Sequence, residues 1–208
     1  MKADYIHKTW HRNLLEKRLH QNRHLISRKI LDVGSKNRRY DRFFKGIITA
    51  VDAVPNPGCN IVYADLEKTL PFPDAFFDSA LCLEVFEYLE NYQNAIAEIH
   101  RVMRPGGYAV ISIPFMYHAH TDKLRYTEEF ITAQFQHQGF AKVECHKIGN
   151  GYTAVWDIMR KKIMSLTSQP LRLALLLLAS PYLIISRLLK LDQLTDQYYS
   201  GLFLVIKR

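Results

Sequence analysis

The chain has little cysteine and none of it paired: Cys59, Cys82 and Cys145 lie far apart, with no CxxC spacing. That excludes a disulfide framework and a cysteine zinc site, and it points to a reducing compartment. The opening residues, MKADYIHKTWHRN, lack the apolar run of a secretory signal, so a cytoplasmic location is expected. Internal repeats and low-complexity tracts are absent. With 48% apolar and 23% charged residues in 208, disorder and collagen-like structure are excluded, and one domain of ordinary size is expected.

Acid is also missing, from one long stretch. Residues 160–190 hold six Lys/Arg and no Asp or Glu, and residues 1–29 carry a further net charge of +6. Residues 30–159 sum to −4, so a mildly acidic body carries two basic segments. Such a distribution suits an anionic surface better than a uniformly basic protein does. A nucleic-acid footprint would interleave basic and exposed aromatic residues along a groove. Residues 1–29 offer only Tyr5 and Trp10, so nucleic acid is not the expected partner. Nothing in the chain indicates an oligomeric state.

What is present alternates in period. Ile6, Trp10 and Leu14, with Leu15 and Leu19, predict a helix over 3–27. Short apolar runs at 29–33, 47–51, 61–63, 78–83 and 108–113 predict buried strands. Helical spacing over 92–103 ends at Arg104-Pro-Gly-Gly107, which is expected to stop that helix in a turn. A capping box at Thr127 predicts a helix to 138, and 140–148 and 202–207 read as two last strands. Strands alternating with helices imply a Rossmann-like, doubly wound α/β fold: a mostly parallel seven-stranded sheet with a helical insertion before the last strand. The expected division is a basic helix, 1–28, and a domain, 29–208, including the insertion 152–190.

Ligands of such sheets bind beyond the carboxyl ends of the strands. The residues there are Asp32–Arg38, Asp52, Asp65 and Glu84, and the stretch after Pro114. A carboxylate at Asp52, 18 residues after Gly34, is placed to accept both ribose hydroxyls of an adenosine group. Asp65 is placed to receive the adenine amino group, with Leu66 against the ring.

The motifs LDVGS (31–35), VDA (51–53), PFPDAFFD (71–78), CLEVFEYL (82–89), AIAEIHRVMRPGG (95–107) and YAVISIPF (108–115) resemble class I S-adenosylmethionine-dependent methyltransferases of the type 11 kind. HTDKLRYT (120–127) is similar to a segment of relatives in glycan and cell-envelope pathways. The resemblance implies S-adenosylmethionine as cofactor. It places Asp32, Gly34 and Ser35 at the methionyl end, Asp52 and Ala53 at the ribose, Asp65 and Leu66 at the adenine, and Glu84 facing the site. It implies methyl transfer to a small-molecule acceptor, a glycan- or lipid-related amphiphile.

The family's turn reads GxGxG, whereas here it reads Gly34-Ser-Lys36-Asn-Arg38. A left-handed residue other than glycine costs on the order of 1 kcal/mol. That departure sets a second reading beside the enzyme, a catalytically weak or silent binding protein at a membrane surface. Methyl transfer needs positioning above all, and a base only for a poorly acidic acceptor. His118 and His120 are the candidate bases, with Tyr117, Asp122 and Arg125 on the acceptor side. Asp122 and Arg125, at i and i+3, are equally spaced to pair with each other and brace the loop. His118-x-His120-x-Asp122 and the pairs His7/His11 and His20/His24 lack a further ligand, so no metal is expected.

Leu173–Ser186 carries no charge and contains Pro181. Fourteen residues are too few to cross a bilayer, which takes about 20. Two readings of 152–190 stand open: two short helices closing as a lid, with Leu175–Leu178 and Leu183–Ile185 against the sheet, or a contact with a lipid interface.

Overall fold

The computed structural model describes residues 4–5, 7–116, 121–194 and 197–208. In chain order the main elements are α1 (Trp10–Asn22), β1 (Ser27–Val33), β2 (Lys45–Asp52), β3 (Val62–Tyr63), β4 (Phe77–Leu83), α2 (Tyr92–Val102), β5 (Met103–Pro114), α3 (Glu128–His137), β6 (Lys142–Ile148), α4 (Gly151–Met164), α5 (Gln169–Leu188) and β7 (Gly201–Lys207). The strands form one seven-stranded sheet in the order β3-β2-β1-β4-β5-β7-β6. Neighbours from β3 to β5 run parallel, while β7 pairs antiparallel with both β5 and β6. The expected α/β architecture is therefore observed.

Alternation along the strands builds the layers. Leu31, Val33, Ala80, Cys82, Ile111, Leu202 and Leu204 face one side and pack with Ile96, Ile99 and Val102 of α2 and Ile131 and Phe135 of α3. Ile30, Leu81, Leu83, Val110, Phe203 and Val205 face the other, under Leu15 and Leu19 of α1. Both faces are covered, as a mostly parallel sheet requires.

Several boundaries differ from the sequence expectation. The first helix begins at Trp10, because the Thr9 hydroxyl accepts from the Arg12 N–H and caps it there; Ile6 lies outside the described residues. Arg104–Gly107 is not a terminal turn but the opening of β5. Gly107 is needed there, since a Cβ would meet the Asp78 carbonyl at 2.7 Å. Thr127 caps α3 through the Phe130 N–H alone, because the third helical residue is Phe and cannot close a capping box. The largest difference is α5, one helix of 20 residues running through Pro181 rather than two short ones. Proline removes the N–H that Leu177 O would accept, and the Ser180 hydroxyl donates to that carbonyl instead at 2.7 Å.

Helix α4 fastens α1 to the rest. Asp157, buried on α4, accepts from the Trp10 N–H at 2.5 Å and the His11 N–H at 2.9 Å. These are two of the N–H groups a helix start leaves without internal partners, and a carboxylate also suits the positive end of the helix dipole. Asp157→Ala is expected to cost about 2–4 kcal/mol of stability, because two buried N–H groups lose a charged acceptor. Urea denaturation measures it.

Candidate active site

Strand order reverses beside β1, whose neighbours are β2 on one side and β4 on the other. A crevice is expected outside the carboxyl ends at such a switch point. A cleft of about 1010 Å³ lies there, lined by Asp32, Gly34, Ser35, Asp52, Ala53, Asp65, Leu66 and Glu84. All eight residues expected to hold the cofactor thus open onto one hollow.

Its floor is the turn after β1. The Gly34 and Ser35 N–H groups both donate to Val51 O, at 2.8 and 3.2 Å. Gly34 has φ +71°, and a Cβ there would lie 2.2 Å from Val85 Cγ2. The positions where the resembling family has glycine are also left-handed: Lys36 at φ 53° and Arg38 at φ 55°. Asp52 holds this strained turn, its Oδ2 accepting from the Lys36 N–H at 3.0 Å while Oδ1 accepts from the Val54 N–H at 2.9 Å. Each oxygen has a second lone pair, so the carboxylate keeps acceptor capacity toward the cleft. Arg38 does not line the cleft; its Nε donates to Asp41 Oδ2 at 2.7 Å. Lys36 stays exposed at the rim. Asp65 Oδ1 accepts from the Glu67 N–H at 3.0 Å, and Lys68 Nζ lies 3.3 Å from Oδ2.

Three further acids sit deeper, with different ionisation. Burial pushes the Asp32 carboxyl up to about 7, against the Ser35 hydroxyl, which opposes the rise. Glu87 is completely buried and is pushed up to about 8, first by burial and then by the Glu84 carboxylate. Neither Glu87 oxygen has a hydrogen-bond partner within the protein. Burial alone would raise Glu84, but His11, the Ser112 hydroxyl and Arg12 outweigh it and hold it below the ordinary range. Ser112 Oγ donates to Glu84 Oε1 at 2.8 Å.

His11 and Glu87 are residues that sequence reasoning did not assign to the site. His11 Nε2 lies 3.4 Å from Glu84 Oε2 and Nδ1 lies 2.8 Å from Ser200 Oγ, so an imidazole is held by β7's approach and faces the cleft. No local signal marked it, because the contact crosses 189 residues of sequence to Ser200. Glu87 could have been noticed as an acid in the otherwise apolar Val85–Leu89 stretch. Tyr117, His118 and His120 lie outside the described residues. Asp122 and Arg125 do not line the cleft: Arg125 Nε donates to Asp122 Oδ2 at 2.6 Å and Nη1 donates to Phe115 O, which braces the segment entering α3. That ion pair is the brace which their i, i+3 spacing allows. Among the described residues no cluster of three metal-ligating side chains exists.

Residues 28–111 match the family described as methyltransferase domain. Over 53 residues the chain is 40% identical to a sterol 4-C-methyltransferase of Caenorhabditis elegans, covering 26% of this chain and 16% of that protein. Over 52 residues it is 42% identical to the phthiotriol/phenolphthiotriol dimycocerosates methyltransferase of Mycobacterium tuberculosis, covering 25% and 19%. The matched stretches therefore span less than a fifth of these relatives. A SAM-dependent methyltransferase from Archaeoglobus fulgidus superposes with TM-score 0.61 at 15% identity, over 98% of this chain and 96% of that one. The cyclase SpnF superposes with TM-score 0.63 at 16% identity, over all of this chain and 85% of that one. The chain has the fold of S-adenosylmethionine-dependent methyltransferases, and its residues 28–111 match the methyltransferase-domain family model.

Two outcomes follow from the site's geometry. Gly34→Ala should lose at least about 2 kcal/mol by denaturant titration, from the left-handed φ and the Val85 overlap together. Glu87 has its folded value near 8 and an unfolded value near 4.3, so the stability tied to its proton is complete below about pH 4 and is lost as pH rises toward 8. Glutamine cannot ionise. Glu87→Gln should therefore gain on the wild type by at least about 1 kcal/mol between pH 5 and pH 8, measured by urea denaturation at both.

Proposed function

We propose that this chain transfers a methyl group from S-adenosylmethionine to a small-molecule acceptor in the cleft beyond β1, β2 and β4. The observation that carries the reading is the convergence of Gly34, Asp52, Asp65 and Glu84 on one hollow. The residues present fit the cofactor on two counts: the Gly34 turn is a cradle that a Cβ would fill, and the acceptor set is rich in carboxylates. Asp52 would hold the ribose, Asp65 and Leu66 the adenine, and Asp32, Gly34 and Ser35 the methionyl end.

Bound there, the cofactor supplies a sulfonium, which is both methyl donor and activated leaving group. The chain's own part is orientation and charge. The ionised Glu84 favours a cation nearby, while a neutral Asp32 can donate a hydrogen bond to an anionic group. Arg38, turned to Asp41, adds no repulsion inside the cleft. The His11 imidazole, set between Ser200 and Glu84, holds the Glu84 carboxylate in its ionised form at the wall of the cleft. The acceptor we favour is an amphiphile, the class that the resemblance of HTDKLRYT suggests and that the sterol enzyme's name supports by analogy.

A second reading has its own observation, the two left-handed cationic residues Lys36 and Arg38 where glycine would be unstrained. On that reading the cleft has lost its cofactor. Calorimetry with S-adenosylhomocysteine separates the two. The enzyme reading expects saturable heat, weakened at least ten-fold in Asp52→Asn, which removes the charge and one of the two oxygens that hold the turn. No heat at millimolar ligand, restored by Lys36→Gly, would establish the silent one.

A further inference from the structure

The hairpin of α4 and α5 leaves an apolar surface that the rest of the chain does not cover. On α5, Leu173, Leu177, Leu178, Ile184, Ile185 and Leu188 are between 52% and 77% exposed. Soluble surfaces rarely keep so continuous an apolar face. By length and composition α5 is the one helix among the described residues that could cross a membrane, and its 20 residues at 1.5 Å rise extend about 30 Å. Its attachments forbid crossing. Asn150, the cap of α4, donates through Nδ2 to Leu191 O and Leu194 O just beyond the end of α5, at 2.6 and 3.1 Å. The Tyr182 hydroxyl donates to Tyr152 O at 2.8 Å, tying the middle of α5 to the start of α4. Helix α4 carries buried Asp157 and Arg160 and is latched to α1, so it cannot accompany α5 through a bilayer. A helix tied to α4 at Tyr182 and again just past its end lies against the molecule rather than extending away from it.

Charge decides what it lies on. The segment 160–190 has six cations and no acid, with Lys161 and Lys162 exposed in the last turn of α4 and Lys190 exposed just after α5. A second copy docked on this face would bring two such sets together, and like charges without a compensating acid oppose that. An anionic bilayer offers both complements, acyl chains for the leucines and a negative headgroup layer for the lysines.

We infer that α5 is an in-plane anchor that docks this chain on an anionic lipid surface, with its Leu/Ile face at the acyl boundary and Lys161, Lys162 and Lys190 among the headgroups. Lys161 also lines the large cleft, so the cleft opens beside the docked surface. A membrane-resident amphiphile then reaches the site without leaving the lipid; this consequence, unlike the docking, rests on the methyl-transfer reading.

The test is sedimentation of the full chain with vesicles of phosphatidylcholine alone or with one third phosphatidylglycerol, at low and high salt. Partitioning should favour the anionic vesicles at least ten-fold at low salt, and salt should weaken it. Leu178→Glu with Ile185→Glu should reduce it at least ten-fold, while Lys162→Gln with Lys190→Gln should lower only the preference for anionic lipid. The Glu variant should keep the wild-type melting temperature and S-adenosylhomocysteine affinity, so that loss of docking is read apart from loss of the cofactor site. Equal partitioning into both vesicles, or none, would overturn the proposal. So would a lipid-free dimer in sedimentation velocity that the Glu variant dissolves, which would make the occupant a second copy. Resistance of bound protein to alkaline carbonate would overturn the in-plane placement in favour of a span.

Discussion

The cleft depends on a turn that the chain would not hold by itself. Gly34, Lys36 and Arg38 are all left-handed, and for the last two that conformation costs about 1 kcal/mol each. What holds them is a small set of acceptors on β2 and in the loop that leads into it. Val51 O takes two N–H groups, Asp52 Oδ2 a third, and Asp41 the Arg38 side chain. Strain of this kind persists only where its surroundings over-determine it. Asp52 is therefore doubly committed, since the same carboxylate shapes the turn and faces the hollow above it. This explains how a turn with one glycine in three positions keeps the outline of a glycine-rich one: the cost lies in φ, while the side chains leave the floor clear.

The charge state of the cleft follows from how each acid is solvated. Glu84 has Ser112 and His11 to replace water and stays ionised. Asp32 has little beyond the Ser35 hydroxyl, and Glu87 has no side-chain partner, so burial drives both toward the neutral form. Three carboxyls in one depression would repel if all were charged; here only the hydrogen-bonded one is held low. The inner cleft thus offers one anion and two acids able to donate a hydrogen bond below their raised values, a mixed set that suits a zwitterionic ligand better than a simple cation.

Much of the fold was legible because its signals are short-range. Apolar runs ended by Gly34 and Asp52 mark strands whose carboxyl ends are buried, the run before Asp65 marks a short exposed edge strand, and the acids after them fall at the cleft because a parallel sheet aligns all its carboxyl ends. The failures have particular causes. Pro181 reads as a helix break from local rules, and the Ser180 hydroxyl that answers the lost bond to Leu177 is an accident of one neighbouring side chain. The stripe of Trp10, Leu15 and Leu19 marked the inward face of α1, but not His11 and Glu16, the polar residues buried beside it. Glu16 is paired with Lys8 and Arg42, and His11 with Ser200 just before β7 and Glu84 just after β4. Long-range pairs of this sort leave no trace in spacing.

The same long-range pairing joins the outer helices to the chemistry. Asp157 on the inner face of α4 fixes the first turn of α1, and that turn carries His11 into the cleft beside Glu84. The outer side of α4 supports α5 through Tyr152 and Asn150, and its Lys161 stands at the cleft rim. One helix therefore sets the position of the imidazole, the apolar surface and part of the entrance. Helix α5 itself contributes no residue to the cleft lining, so it is not a cover for the pocket. A closing element would bury its leucines against the sheet on closure, yet these face outward from a helix already fastened at both its end and its middle. On the proposed docking, this exposed apolar face on a fixed support is satisfied by lipid, and the cleft that Lys161 lines stands on the same helix pair's support.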